Sequence, residues 1–233
     1  IVLVATTWMG FIGYIDDYMK IKMRLQKGLI ARYKLIGQLL LGILISYIIF
    51  NNDSLQYLIV NLDGTTRQIS TSNISLPFIA NGIFNLNILY IPLIILTITA
   101  TSNAVNLTDG LDGLATGLTA ICAIVFALLA YASSRADFSD YLNIIFIPFS
   151  GELFIFCFAL IGSCIGFLWF NANPAKIFMG DTGSLSLGAA IGTLAILLKK
   201  EILLIIVGGV FVTEALSVII QVLYFKYSLK FKG

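Results

Sequence analysis

Residues 88–131 read ILYIPLIILTITATSNAVNLTDGLDGLATGLTAICAIVFALLAY. Two apolar runs, 88–105 and 114–131, flank a short polar link, 106–113, that carries glycine and two aspartates. Each run is close to the roughly 20 residues a helix needs to cross a hydrocarbon layer about 30 Å thick. Working outward, comparable runs recur at 1–15, 34–50, 152–170, 184–198 and 202–224, which makes seven. The whole chain of 233 residues is 59% hydrophobic and 11% charged, against roughly 45–50% and about 25% in soluble domains. With a mean hydropathy of +0.98 there is no room for a soluble domain beside the apolar runs. These observations predict an all-α, polytopic transmembrane helix bundle of about seven spans, a single domain over 1–233.

Cys122, Cys157 and Cys164 all lie inside apolar runs without metal-ligand spacing and read as small buried hydrophobes. The chain holds no histidine, which argues against zinc chemistry and histidine-based catalysis within it. The opening IVLVATTWMG has neither a basic start nor a small-residue cleavage site, so it does not read as a signal peptide. The closing FKYSLKFKG stops on a basic loop, and the natural chain is expected to continue.

Alternating the spans places Lys20, Lys22, Arg24, Lys27, Arg32, Lys34, Lys176, Lys226, Lys230 and Lys232 on one side, against Arg67, Arg135, Lys199 and Lys200 on the other. The positive-inside rule makes the first side cytoplasmic. The outer loop 51–87 is polar, with short alternating stretches at Leu62–Ile69 and Ile74–Ile79 that predict a small periplasmic hairpin. Asp53, Asp63, Asp137, Asp140 and Glu201 fall on this outer side as ordinary solvated loop residues. Glu214, inside the last apolar run, reads either as a buried hydrogen-bonded group or as part of a cavity wall.

The other acidic residues sort together. Asp16 and Asp17 in GYIDDYMKIK (13–22), Asp109 and Asp112 in NLTDGLDGLATG (106–117), and Asp181 in FNANPAKIFMGDTGS (170–184) all fall at cytoplasmic helix ends. One carboxylate at a membrane boundary is ordinary. Five from three separate segments repel one another unless a cation holds them, and a hard cation with oxygen ligands suits the set. Magnesium accepts one or two carboxylates and keeps positions open for phosphate oxygens. Asp109 and Asp112, three apart, would share one side of a helical turn, whereas Asp16 and Asp17 point about 100° apart and should do different jobs. Gly110, Gly113, Gly180 and Gly183 allow close backbone approach, and Thr182, Gly183 and Ser184 open a helix whose free N–H groups favour anions. Pro174 stiffens a loop expected to hold Asn171 and Lys176 near Asp181, with Phe170 and Phe178 offering ring faces. A proton- or cation-coupled transporter would also use such carboxylates, but nearer the middle of the membrane.

These motifs resemble the polyprenyl-phosphate N-acetylhexosamine phosphate transferase superfamily. Within it, GYIDDYMKIK, KGLIARYKLIGQ, NAVNLTDGLDGLATG, FNANPAKIFMGDTGSLSLG and GGVFVTEALSVIIQV resemble the phospho-N-acetylmuramoyl-pentapeptide transferases. The resemblance implies a multi-pass enzyme of the bacterial inner membrane with its site facing the cytoplasm. Such an enzyme moves phospho-MurNAc-pentapeptide from its UDP-linked donor to undecaprenyl phosphate with magnesium, releasing UMP. A homodimer is compatible with the resemblance, and no nucleic-acid partner is implied. By motif, Asp16, Asp17 and Asp181 match catalytic positions, with Asp181 and Asp17 at the metal. Lys20 and Lys34 match phosphate-meeting positions, and Asn106, Asp109, Gly110, Leu111, Asp112, Asn171 and Phe178 match substrate-binding ones. A relative acting on another UDP-N-acetylhexosamine shares the Asp-Asp and DGLDGL strings. The superfamily has about ten spans and a histidine-rich cytoplasmic motif that this chain does not contain, so the chain is expected to lack part of the substrate pocket.

Overall fold

The computed structural model describes residues 1–25, 28–60, 65–77, 79 and 82–231, with side chains as far as Lys226. Lys27, Leu62, Asp63 and Lys232, and the side chain of Lys230, lie outside the described residues. The helices are α1 (Val2–Ile21), α2 (Ala31–Asn51), α3 (Tyr90–Thr108), α4 (Leu114–Ser133), α5 (Ala136–Tyr141), α6 (Ser150–Asn171), α7 (Gly180–Leu197), α8 (Glu201–Val207) and α9 (Gly209–Phe231).

Five stretches, in α2, α3 with the turn before it, α4, α6 and α9, are long and apolar enough to cross a bilayer. Their exposed Leu, Ile, Phe and Val side chains form the surface a lipid would wet. The chain is a multi-pass, all-α membrane protein. The other two expected spans are α1 and α7, which end in the acidic motifs. Helix α7 tolerates Gly, Ser and Thr because it meets protein instead of lipid: Gly188 through Leu197 are all buried. It packs against α1 and α3 and, less extensively, against α4. Contact is backbone to backbone. A Cβ on Gly13 of α1 would lie 2.2 Å from the Asp181 carbonyl oxygen, and one on Gly188 would lie 2.5 Å from that of Thr101. Small residues at such crossings substitute dispersion and close packing for the hydrophobic drive that lipid removes.

The last expected span, 202–224, is divided. Gly208 and Gly209 lower helix propensity where α8 meets α9. With seven residues, α8 covers only about 10 Å. Helix α9 contacts α3 and leaves most of its surface outward, with Glu214 half-buried.

At the end opposite the acidic motifs there are two hairpins where one was expected: β1 (Leu58–Val60) with β2 (Thr66–Gln68), and β3 (Asn73–Ser75) with β4 (Ile83–Asn85). Among the described residues of the two expected stretches, 66–68 pair back to β1 and 74–75 pair forward to β4, and the two do not pair with each other. Leu58 also bridges to Phe146 in the segment after α5.

Glu201 corrects an expectation: it is 5% exposed, not a solvated loop residue. Lys199, wholly buried, donates from Nζ to Tyr90 Oη at 2.8 Å and to the Thr71 carbonyl, and Tyr90 donates in turn to Glu201 Oε1. The hairpins cover this end, and they turn a would-be surface carboxylate into an interior one. Cys122, Cys157 and Cys164 are buried and unbridged, as expected.

Candidate active site

The C-terminal ends of α1, α3 and α6 and the N-terminal ends of α2, α4 and α7 meet at one end of the bundle. Asp16 and Asp17 close α1, and Asp181 opens α7. A carboxylate oxygen from each lies within 4.8 Å of the others. Among the described residues this is the group with the geometry to share a metal ion.

The two neighbours at 16 and 17 do face different partners. Asp16 is fully buried and accepts from the Leu29 backbone N–H at 2.6 Å. It is ion-paired with Lys20, one turn along α1, and with Lys34 of α2 at 3.2 Å. Asp17 accepts from the backbone N–H groups of Asp181 and Thr182 at 3.3 and 2.9 Å and from the Thr182 hydroxyl at 2.6 Å. The free N–H groups expected to attract an anion at the start of α7 are therefore taken by an anion from α1. This is helix capping delivered across a helix–helix contact. The close approach at Gly13 makes it reachable.

Asp181 gathers donors from three helices. Lys20 of α1 reaches its Oδ2 at 3.1 Å, Lys34 of α2 reaches the same oxygen, and Asn106 of α3 donates to Oδ1 at 2.9 Å. Asn106 also donates to Ser184 Oγ at 2.8 Å. Thr182 and Ser184 thus enter the site through their hydroxyls, whereas sequence reasoning had valued them for their backbone alone.

Asp109 and Asp112 part company. Asp109 caps the C-terminus of α3, and residues up to Gly113, with φ +71°, form turns instead of continuing the helix. The expected shared helical side does not exist because the glycines of DGLDG end it. Asp109 lies within electrostatic reach of the Gly180 backbone N–H and of the Asp17 and Asp181 carboxylates. Asp112 instead accepts from Asn173 Nδ2 at 3.1 Å and the Ala175 N–H at 3.0 Å. Asn171, 1% exposed, accepts from Gly113 N–H and Thr116 Oγ1 and donates to the Ile177 carbonyl. Its amide is committed to fastening α4 and the 172–179 loop to the end of α6. Gly110, Leu111 and Phe178 are exposed at the rim of the same face, as is Lys176.

Burial first, and then the Asp181 and Asp17 charges, push the Asp109 carboxyl up to about 6. Folding therefore binds this proton more tightly than the unfolded chain does. The resulting stability is present below the unfolded value and is lost as pH rises through about 6. In the metal-free protein, Asp109→Asn should melt about 2–4 °C higher than the parent at pH 8, and the gap should narrow as pH falls below about 6 and vanish below the unfolded value of 3.8. Solvent screening at this half-exposed position leaves roughly 1 kcal/mol. A melting difference independent of pH would refute the assignment.

Four carboxylates (Asp16, Asp17, Asp109, Asp181) face two ammonium groups (Lys20, Lys34) here. The surplus negative charge and the hard oxygen donors fit a divalent cation such as magnesium. Asp181, whose Oδ2 meets the ammonium groups of Lys20 and Lys34, suits it better than Asp17, whose oxygens are taken by the start of α7.

Residues 1–199 match the model of glycosyl transferase family 4. The chain belongs to that family. Similarity to curated family members runs along its whole length. It is 48% identical over 233 residues to the phospho-N-acetylmuramoyl-pentapeptide-transferase of Chlorobium phaeobacteroides and 50% identical over 233 residues to that of Chlorobium chlorochromatii. It is 49% identical over 226 residues to that of Thermodesulfovibrio yellowstonii. Each alignment covers 97–100% of this chain but only 59–60% of the relative. For a family 4 member, the cluster at the ends of α1 and α7 lies well within the matched region.

Proposed function

We propose that this chain is the greater part of a magnesium-dependent transferase that moves phospho-MurNAc-pentapeptide from UDP-MurNAc-pentapeptide to undecaprenyl phosphate, forming lipid I and releasing UMP. The observation that carries the reading is the meeting of Asp16, Asp17 and Asp181 with Lys20, Lys34 and Asn106 at one end of a lipid-facing bundle. A water-soluble nucleotide and a membrane-bound phosphate can meet at such a boundary, and the excess of lysine and arginine on that side supports a cytoplasmic orientation in the inner membrane. The names of the relatives supply the sugar.

Lys20 and Lys34 are the phosphate-binding groups. Both are paired with carboxylates in this structure, and exchanging those partners for the donor diphosphate releases Asp16 and Asp181. Magnesium, when held chiefly by Asp181, would neutralise charge on the diphosphate. An oxygen of the acceptor phosphate attacks the sugar-bearing phosphorus, the bond to the uridine-bearing phosphate breaks, and UMP leaves with the bonding electron pair. Asp16, freed of its ammonium partners, takes the proton if the acceptor phosphate still carries one. Asp17 holds the start of α7, and hence Asp181, in place. Asp109, Gly110, Leu111 and Phe178 border the space for the nucleoside, with the exposed Phe178 ring available to stack on a base.

The nearest competing reading changes the sugar alone. The intact enzyme in lipid nanodiscs, supplied with undecaprenyl phosphate and magnesium, should release UMP from UDP-MurNAc-pentapeptide at least about 100-fold faster than from UDP-N-acetylglucosamine. Comparable rates, or release from the latter alone, would overturn the proposed donor.

A further inference from the structure

About one helical turn inward from the cluster, a buried amide on α2 and a partly buried one on α3 face each other. Asn103 Nδ2 donates to Gln38 Oε1 at 3.0 Å, and Gln38 Nε2 donates back to Asn103 Oδ1 at 3.2 Å. Asn103 also donates to the Thr99 carbonyl at 2.8 Å, and Gln38 is 1% exposed. Among the described residues these are the side-chain hydrogen bonds that join α2 to α3. The helices also meet where Gly42 lies close against Ile95 and where the Phe50 and Tyr90 rings touch edge to face, contacts that carry no hydrogen-bond pairing of their own.

The placement of the pair is what gives it a use. Gln38 lies four residues after Lys34, on the same face of α2, and Asn103 lies three residues before Asn106 on α3. The residues next in line toward the site are the two that grip Asp181 from opposite sides, Lys34 at Oδ2 and Asn106 at Oδ1. A primary amide surrounded by apolar side chains is costly unless its donor and acceptor are both met. The reciprocal pair meets both in one register only, since a shift of one helical turn, about 5.4 Å, separates the groups.

We propose that Gln38 and Asn103 are positioning residues for the transfer reaction: their reciprocal amide pair sets the axial register of α2 against α3, so that Lys34 and Asn106 reach Asp181 together. Neither touches the reacting groups, and the proposal rests on the reading of the site as a phosphotransferase centre. Sub-ångström placement matters there because phosphoryl transfer depends chiefly on alignment and charge.

The test uses the intact enzyme with Gln38→Leu, Gln38→Asn, and the exchanged double variant Gln38→Asn with Asn103→Gln, which keeps one long and one short amide. Gln38→Leu should lower kcat per folded molecule about 10- to 100-fold while KM for the nucleotide donor changes less than about threefold; a smaller folded fraction would also lower the apparent kcat at constant KM, so the rate is normalised to the folded fraction measured in the same preparation. Half-saturating magnesium should rise, and backbone amides at residues 31–37 should exchange hydrogen faster. The exchanged variant should return kcat to within about threefold of the parent, whereas Gln38→Asn alone should not. A folded Gln38→Leu protein with parental kcat would overturn the proposal. So would a folded exchanged variant no better than Gln38→Asn, and this comparison decides if Gln38→Leu does not fold. If the unmodified enzyme releases no UMP, the functional reading fails, and hydrogen exchange at 31–37 still decides whether the amide pair sets the register.

Discussion

Asp181→Asn should reduce UMP release at least about 1,000-fold at saturating donor, with little change in melting temperature. The substitution keeps size and shape but removes the charge on which Lys20, Lys34 and Asn106 converge. Interactions that stabilise charge in a transferring phosphoryl group are commonly worth 10²- to 10³-fold for one donor. Here one carboxylate organises donors from three helices and is the foremost candidate for the cation. The fold should survive, since Asp16 still accepts from Lys20, Lys34 and Leu29, and the cap on α7 uses the Asp181 backbone, not its side chain. Initial rates across a magnesium titration, with thermal unfolding of the same preparation, check the outcome. Turnover within tenfold of the parent would remove Asp181 from the centre of the mechanism.

Lys199→Met should have the largest effect on stability, about 3–5 kcal/mol, read as a fall in melting temperature of roughly 6–20 °C. The Lys199 ammonium is the hub of the buried network at the outer end. It lies 4.4 Å from the centre of the Tyr57 ring and 4.1 Å from that of Tyr90, and donates to Tyr90 and the Thr71 carbonyl. Ser75 donates to the Lys199 carbonyl at 2.8 Å, which ties β3 to the same point. Removing the ammonium takes away the charge that offsets the burial of Glu201, whose Oε2 already lacks a hydrogen-bond partner. Adding Glu201→Gln should recover most of the loss, because a neutral amide replaces a carboxyl that burial already pushes toward its neutral form. Transfer per folded molecule should stay near parental, since this network lies at the opposite end of the bundle from Asp181. A single variant that melts within about 2 °C of the parent would show that the buried charges are not coupled.

The contrast between these two residue groups shows where sequence reasoning succeeds. Asp16, Asp17 and Asp181 announce themselves because a carboxylate at the end of an apolar run is conspicuous, and lysine bias sorts helix ends by side. Glu201 has the same local signature, a charge between two apolar runs beside two lysines, and it was misplaced. Nothing within its own segment records that residues more than a hundred positions earlier fold over it. Asp109 and Asp112 were misjudged for a different reason. Their spacing is helical, but the glycines around them end the helix, and turn geometry then sends each toward a different loop.

From the sequence alone come the membrane class, the number and approximate limits of the apolar runs, and the gathering of five aspartates at one end. All of these follow from hydropathy and charge summed over short windows. Only the tertiary structure decides that Asp17 caps α7, that Asp16 and Asp181 share Lys20 and Lys34, that Asn171 is a fastener, and that Gln38 meets Asn103. Those outcomes depend on how far each helix is rotated and how closely two backbones approach. Both are set by contacts between segments distant in the chain, such as Gly13 against Asp181, and no local window contains both partners.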